Sequence, residues 1–323
     1  MIRRYLNADG RLRLAEQAIH ELEGLVWIDL FSPTAGEEAE LESRLGIDLP
    51  TREEMEEIEI SSRLYYENGA AFMTATLPAQ ADGDNPLMAP VTFVLSGDRL
   101  ITVRYHDPRA FQTFPLRAEK VAMGCSSGEV VLVALLEAIV DRIADILERA
   151  GRDIDGISHE VFQHKGAATS KSRDFQAVLE SIGRKGDLIS KIRDSLVTLE
   201  RLIGFLGQVT TQRKSDKDVR SRVKTLARDA RSLTDHASFL SQKVTFLLDA
   251  SLGMINIEQS AIIKIFSVAA VAFLPPTLIA SIYGMNFDYM PELHWPWGYP
   301  LALGLMVASA VLPYWYFKRR GWL

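Results

Sequence analysis

The chain of 323 residues holds a single cysteine, Cys125. One thiol can build neither a disulfide framework nor a cysteine-based zinc site, and a reducing compartment is the simple expectation. Histidine is scarce too: six residues, scattered without ligand spacing. His20-Glu21 lacks the second histidine that a zinc-protease helix requires. The stretch GAATSKS just after Lys165 lacks the second glycine of a phosphate-binding loop. With no catalytic constellation, an enzyme is not expected. The opening segment, MIRRYLNADGRLRL, has no apolar core of a secretory signal, so the bulk of the chain is expected in the cytosol.

Positive charge is short in most of the chain. The formal net charge is −6. From Ile262 onward, four cations face two carboxylates, a surplus of two, which leaves −8 on the residues before it. Phosphate backbones need clustered Lys and Arg, so nucleic acid is not the expected partner; divalent cations are compatible. The run Arg52-Glu53-Glu54-Met55-Glu56-Glu57 is acidic enough to attract cations but reads as a solvated helix face.

What is present is concentrated at the end. Ile265 to Tyr283 is a charge-free run of 19 residues and Trp295 to Phe317 one of 23. About 20 apolar residues cross a bilayer as a helix. Lys318-Arg319-Arg320 follows the second run, and the loop Gly284–His294 has neither Lys nor Arg. The positive-inside rule places the C-terminus in the cytosol and the loop outside. Trp295, Trp297 and Tyr299 mark the outer interface; Tyr314, Trp315, Tyr316 and Phe317 mark the inner one.

In the first span, Pro275-Pro276 removes two backbone donors and frees carbonyls near Val271 and Ala272. Ile263, Phe266, Ala270, Leu274, Thr277 and Ser281 share one face, apolar at the cytosolic end and more polar outward. Such a face suits a pore whose hydrophobic gate closes by dewetting. It equally suits helix packing through small residues.

Upstream, Val219, Val223, Leu226, Ala230, Leu233, Ala237, Leu240, Val244, Leu247, Ser251 and Met254 alternate steps of four and three. They predict one long helix from about Ser215 to Tyr283, its seam packed on the preceding helices or on other subunits. Glu129 to about Gln163 and Arg173 to about Gly207 predict two more helices. Before them, GLVWIDL reads as a buried strand and Ser32 or Thr34 as a helix cap. RLYYENGAAFMTATLP and VTFVLSGDRLITVRYH read as strand pairs around Glu67-Asn68-Gly69 and Ser96-Gly97-Asp98. The expected fold class is an α/β cytosolic domain with a mixed sheet, a long helical stalk and two C-terminal transmembrane helices. The expected divisions are 1–125 (α/β), 126–214 (helical pair), 215–264 (stalk), 265–283 (first span), 284–294 (loop), 295–317 (second span) and 318–323 (basic tail).

Tyr283-Gly284-Met285-Asn286-Phe287 closes the first span; Met290-Pro291-Glu292-Leu293, Gly298-Tyr299-Pro300 and the basic tail follow. This constellation resembles the CorA family of magnesium transporters, whose signature is Gly-Met-Asn between two C-terminal spans. The resemblance implies a homopentamer in the cytoplasmic membrane, both termini cytosolic, that carries hydrated magnesium, with cobalt and nickel as further candidate ions. It implies a filter at Gly284, Met285 and Asn286, with the first span lining the pore from Ser260 through Ile263, Phe266, Ala270, Leu274, Thr277 and Ser281. Several relatives carry Asn where this chain has Ser260. Asp288 and Glu292 would concentrate cations outside. Regulatory magnesium would bind between subunits, with Asp249 one of its ligands, and close the pore. Five acidic soluble parts, roughly 40 negative charges together, would gain from bound cations. No organic cofactor is implied. The zinc-transporting, ZntB-like branch shares this architecture but usually departs from Met in the signature, which Met285 keeps. A membrane-anchored coiled-coil scaffold would explain the stalk and spans but not the loop.

Overall fold

The computed structural model describes residues 1–15, 24–83, 85–162, 175–286 and 290–321. The described chain divides into two compact units, Met1–Leu248 and Asp249–Leu323.

The first unit is built on a seven-stranded mixed sheet. Its strands are β1 (Ile2–Ala8), β2 (Arg11–Leu14), β3 (Leu25–Phe31), β4 (Leu64–Glu67), β5 (Ala70–Ala79), β6 (Leu87–Ser96) and β7 (Arg99–Arg104), in the order β2-β1-β3-β7-β6-β5-β4. The β3–β7 pair is parallel and the others antiparallel. Both expected hairpins form, with Asn68-Gly69 and Gly97 supplying the positive φ of their turns. Side chains alternate between two cores, as a period of two requires. Trp27, Met73, Phe93 and Leu100 enter the larger core, and Ile28, Phe72, Val94 and Ile101 the smaller.

The smaller core lies under α1 (Ala35–Leu45) and α2 (Arg52–Glu56), which supply Leu41 and Met55. Thr34 caps α1 and Thr51 caps α2, each in a reciprocal pair with a glutamate three residues on. The acidic run is therefore a short capped helix that buries only Met55. A single turn, α3 (Ile60–Arg63), leads into β4.

The larger core is covered by α4 (Arg109–Lys120), α5 (Gly128–Phe162) and α6 (Phe175–Gln212). Gly128 starts α5 with its nitrogen 2.7 Å from the Asp98 carbonyl oxygen, and a Cβ there would lie 2.1 Å from the backbone nitrogen of Leu100. Only glycine lets the helix begin that close to β7. On α6, Val178 is buried and Leu179 only partly. The GAATSKS stretch lies outside the described residues.

The long helix is α7 (Lys217–Tyr283). Its seam is buried at Val219, Val223, Leu226, Ala230, Ala237, Leu240 and Leu247 and partly at Leu233 and Val244. This stretch packs on the chain's own helices. Leu240 lies beside Gly151 of α5, and Val244 packs close on Gly186 of α6, where a Cβ would lie 3.3 Å from it. Arg222 pairs with Glu137 through two bonds of 3.0 and 2.8 Å, and Lys243 pairs with Asp155.

At the centre of the sheet, Asp29 and Arg104 form a fully buried pair. Arg104 Nε and Nη2 lie 3.0 and 2.9 Å from the two Asp29 oxygens, and Thr102 donates to the same carboxylate at 2.8 Å. Burial works against the guanidinium's charge, but the bonds and charge of Asp29 outweigh it and hold its pKa above the usual value.

Candidate ion pathway

The second unit contains the C-terminal part of α7, a 3-10 turn at Pro291–His294 and α8 (Gly298–Arg319). Both helices are long and apolar enough to cross a membrane. α8 begins three residues later than the charge-free run, because Trp295 to Trp297 form a turn before it.

The membrane part of α7 has two unlike faces. Val268 is 5% exposed, and Ala272, Pro275, Pro276, Ile279 and Tyr283 are partly shielded, at steps of three and four. On α8, Ala302 is buried and Met306, Ser309, Ala310, Pro313 and Phe317 are partly shielded at the same steps. Each stripe repeats at the steps that keep residues on one face of a helix. The remaining face of α7 is open: Ile263 is 64%, Phe266 72% and Leu274 66% exposed, and Ser260, Ala270, Thr277 and Ser281 are exposed as well. All seven candidate pore residues therefore avoid the shielded stripe.

Both prolines fall on the shielded side, and the helix continues through them. Just beyond, the Thr277 hydroxyl donates to the Phe273 carbonyl at 2.7 Å. Its proton is thus committed to the helix and its lone pairs remain as acceptors. A hydrated cation presents water protons, so an acceptor-only hydroxyl is the fitting complement. Ser267 bonds back to Ile263 in the same way at 2.8 Å. Sequence reasoning missed this commitment of Thr277; the available signal was a threonine four residues after a helical carbonyl.

At the C-terminal end of α7, Gly284 donates to the Ala280 carbonyl at 2.9 Å and Met285 to that of Ile282 at 3.3 Å. A Cβ on Gly284 would sit 3.1 Å from the Ala280 oxygen, so glycine lets the last turn close tightly. Met285 and Asn286 follow, both exposed. The three signature residues thus stand at the C-terminal end of α7, where free carbonyls give a partial negative charge. Asp288 lies outside the described residues, and Glu292 falls in the 3-10 turn.

Trp295, Trp297 and Tyr299 are exposed before and at the start of α8; Tyr314, Trp315 and Tyr316 are exposed near its end. Arg319 and Arg320 lie over the rings of Trp315 and Tyr316, at 5.2 and 5.5 Å. Such aromatic and basic side chains suit a membrane interface.

Asp249 is exposed. Among the described residues, no group of three or more His, Cys, Asp or Glu side chains converges as a metal cage.

The family model described as "CorA-like Mg2+ transporter protein" matches residues 23–319. A protein of Haemophilus influenzae named "Magnesium transport protein CorA" is 36% identical over 324 residues, covering all of both chains. A protein of the same name from Salmonella typhimurium is 36% identical over 315 residues, covering 96% of this chain and 97% of its own. Among solved structures, the complete CorA magnesium transporter of Methanocaldococcus jannaschii shares the fold. The TM-score is 0.80 at 21% identity, over 100% of this chain and 99% of that one. Full-length CmaX is similar with a TM-score of 0.69 at 15% identity, over 99% of this chain and 97% of its own. With the family model over nearly the whole length and full-length relatives above 30% identity, the chain belongs to the CorA-like Mg2+ transporter family.

Proposed function

We propose that this protein carries magnesium across the cytoplasmic membrane through a pore lined by copies of α7. The observation that carries the reading is the open face of α7. Seven graded residues from Ser260 to Ser281 lie on its exposed side, and the signature Gly284-Met285-Asn286 follows at its end. The relatives named for magnesium transport support the choice of ion. An exposed apolar face on a membrane helix needs company, and several copies around an axis supply it. A homopentamer is the assembly we favour, with both termini cytosolic and the loop outside.

Magnesium surrenders its water reluctantly. A ring of Asn286 amides with Gly284 carbonyls, Met285 between them, would hold the hydrated ion through its waters. Neutral oxygens bind weakly enough to release it, where a carboxylate ring would hold longer. Thr277 and Ser281 would pass the ion inward. Ile263 and Phe266 would form the constriction that closes when dry, with Ser260 below it and Ala270 and Leu274 lining the path above. Asp288 and Glu292 would raise the local cation concentration outside. Cobalt and nickel, as similar hydrated divalents, would share the path. Cytosolic magnesium held between subunits, with Asp249 among the ligands, would favour the closed state. The protein acts as a transporter and not as an enzyme. For description, 1–125, 126–214, 215–264, 265–283, 284–294, 295–317 and 318–323 remain the proposed functional divisions.

The test is magnesium entry into proteoliposomes, followed with an internal dye, for the wild type beside Asn286→Ala. Entry through the wild type, inhibited by internal magnesium, and little entry through the variant is the expected result. A variant that conducts like the wild type would remove Asn286 from the filter. Zinc entry with a pH dependence and no magnesium entry would favour the zinc-transporting reading. No divalent flux through an assembled oligomer would leave a membrane-anchored scaffold.

A further inference from the structure

A cleft of about 390 Å³ lies where the end of α6 meets the first turns of α7. Three cations of α7 line it, Lys217, Arg220 and Lys224, at helical spacing on one face. The ion pairs of α7 among the described residues are Arg222–Glu137 and Lys243–Asp155, so none of the three is neutralised by a carboxylate there. Asp216 and Asp218 stand beside them in sequence but do not line the cleft, and Asp218 acts on Arg222.

Arg220 is part-buried in the cleft wall, and its Nε is enclosed without a hydrogen-bond partner. An anion in the cleft would therefore be met by the two terminal nitrogens of its guanidinium. Ser221 adds a hydroxyl, and α7 begins at Lys217, a helix end whose dipole favours negative charge. Thr210 and Thr211 also line the cleft, but both donate to the Gly207 carbonyl, at 3.1 and 2.8 Å. The donors left for a ligand are therefore the three cations, Ser221 and the helix start. No aromatic residue lines the cleft, so nothing there stacks on a base.

We propose that this corner binds a polyphosphate anion, either an inorganic chain or the phosphate end of a nucleotide. Three cations in a row along one helix face match several phosphates better than one. Because the donors address only phosphate oxygens, the inorganic chain and the nucleotide bind alike. The site is independent of the ion pathway and of the transport reading.

Calorimetric titration of the full-length protein in detergent, freed of divalent ions by chelator, tests this. The two probes are inorganic tripolyphosphate and adenosine triphosphate. Both are expected to bind with similar affinity, weakened by added salt. Lys217→Gln with Lys224→Gln changes two exposed side chains and is expected to lower affinity about tenfold or more. Arg220→Gln should abolish binding, with circular dichroism showing the helices intact. No heat from either probe at millimolar concentration would overturn the proposal. So would equal binding by the double lysine variant, which would put the anion elsewhere. Binding of the nucleotide alone would overturn it too, because the site would then read the base.

Discussion

Replacing Asp29 with alanine removes one partner of a pair that is buried to within 1% of complete enclosure. Arg104 loses two charge-assisted bonds, of 3.0 and 2.9 Å, and Thr102 loses the acceptor at 2.8 Å. Trp27, which donates to Thr102 at 3.0 Å, loses a fixed acceptor geometry. Stranding a buried charge costs about 3–5 kcal/mol. The lower end applies here, because Arg104 keeps Asp107 at 2.6 Å, the His106 carbonyl at 3.0 Å and the faces of Phe31 and Phe111. About 3 kcal/mol corresponds to a fall of roughly 6–12 °C in apparent Tm for a unit of this size. Tryptophan emission at one fixed scan rate is the assay, since Trp27 is the only tryptophan before residue 295. The double change Asp29→Leu with Arg104→Met removes both charges and should recover most of the loss. A fall below about 2 °C for the single variant, or no recovery in the double, would refute the reasoning.

Three further outcomes are expected. Gly151→Ala places a Cβ 3.6 Å from Leu240 Cδ2, an ordinary contact, and removes a helix-interior glycine. It should stabilise by about 1 kcal/mol, read as a rise of roughly 2–4 °C in apparent Tm. His106 is buried, donates to the Leu77 carbonyl from Nε2, and leaves Nδ1 without a partner. Burial lowers its pKa from 6.5, so the unfolded chain takes up a proton before the fold does. Stability should be full above about pH 6.5 and fall as pH drops from there toward the folded pKa, and His106→Gln should flatten that part of a Tm–pH profile. Thr277→Val keeps the shape but removes the acceptor, and should lower magnesium flux into proteoliposomes several-fold while oligomer assembly by size-exclusion stays unchanged.

Much of the fold could be read because its signals are local. Asn68-Gly69 and Gly97 set φ within two residues, Thr34 and Glu37 cap each other three residues apart, and the α7 seam repeats for ten steps. α4 was not foreseen, because Pro115 inside it reads as a breaker. Its flank of Phe111, Phe114 and Ala118 becomes legible only against the sheet it covers. β1 and β2 were missed for a related reason: IRRYLNA and RLRL are polar, and their pairing rests on a register with β3 that no local pattern announces. Asp29 and Arg104 lie 75 residues apart, and only parallel pairing of β3 with β7 brings them together.

The site divides along the same line. That Ile263, Phe266 and Leu274 share a face follows from helix geometry alone. That the face is open does not, since helix packing explained the same residues equally well. Val268, Ala272 and Ile279 form the shielded stripe, which leaves out Phe266 and Leu274. The open face is then free for other copies or for water, and its gradient toward Thr277 and Ser281 argues for water at that end. Asp249 shows the opposite limit. One exposed carboxylate binds a divalent ion poorly, and among the described residues no group of three or more potential ligands gathers to complete a site.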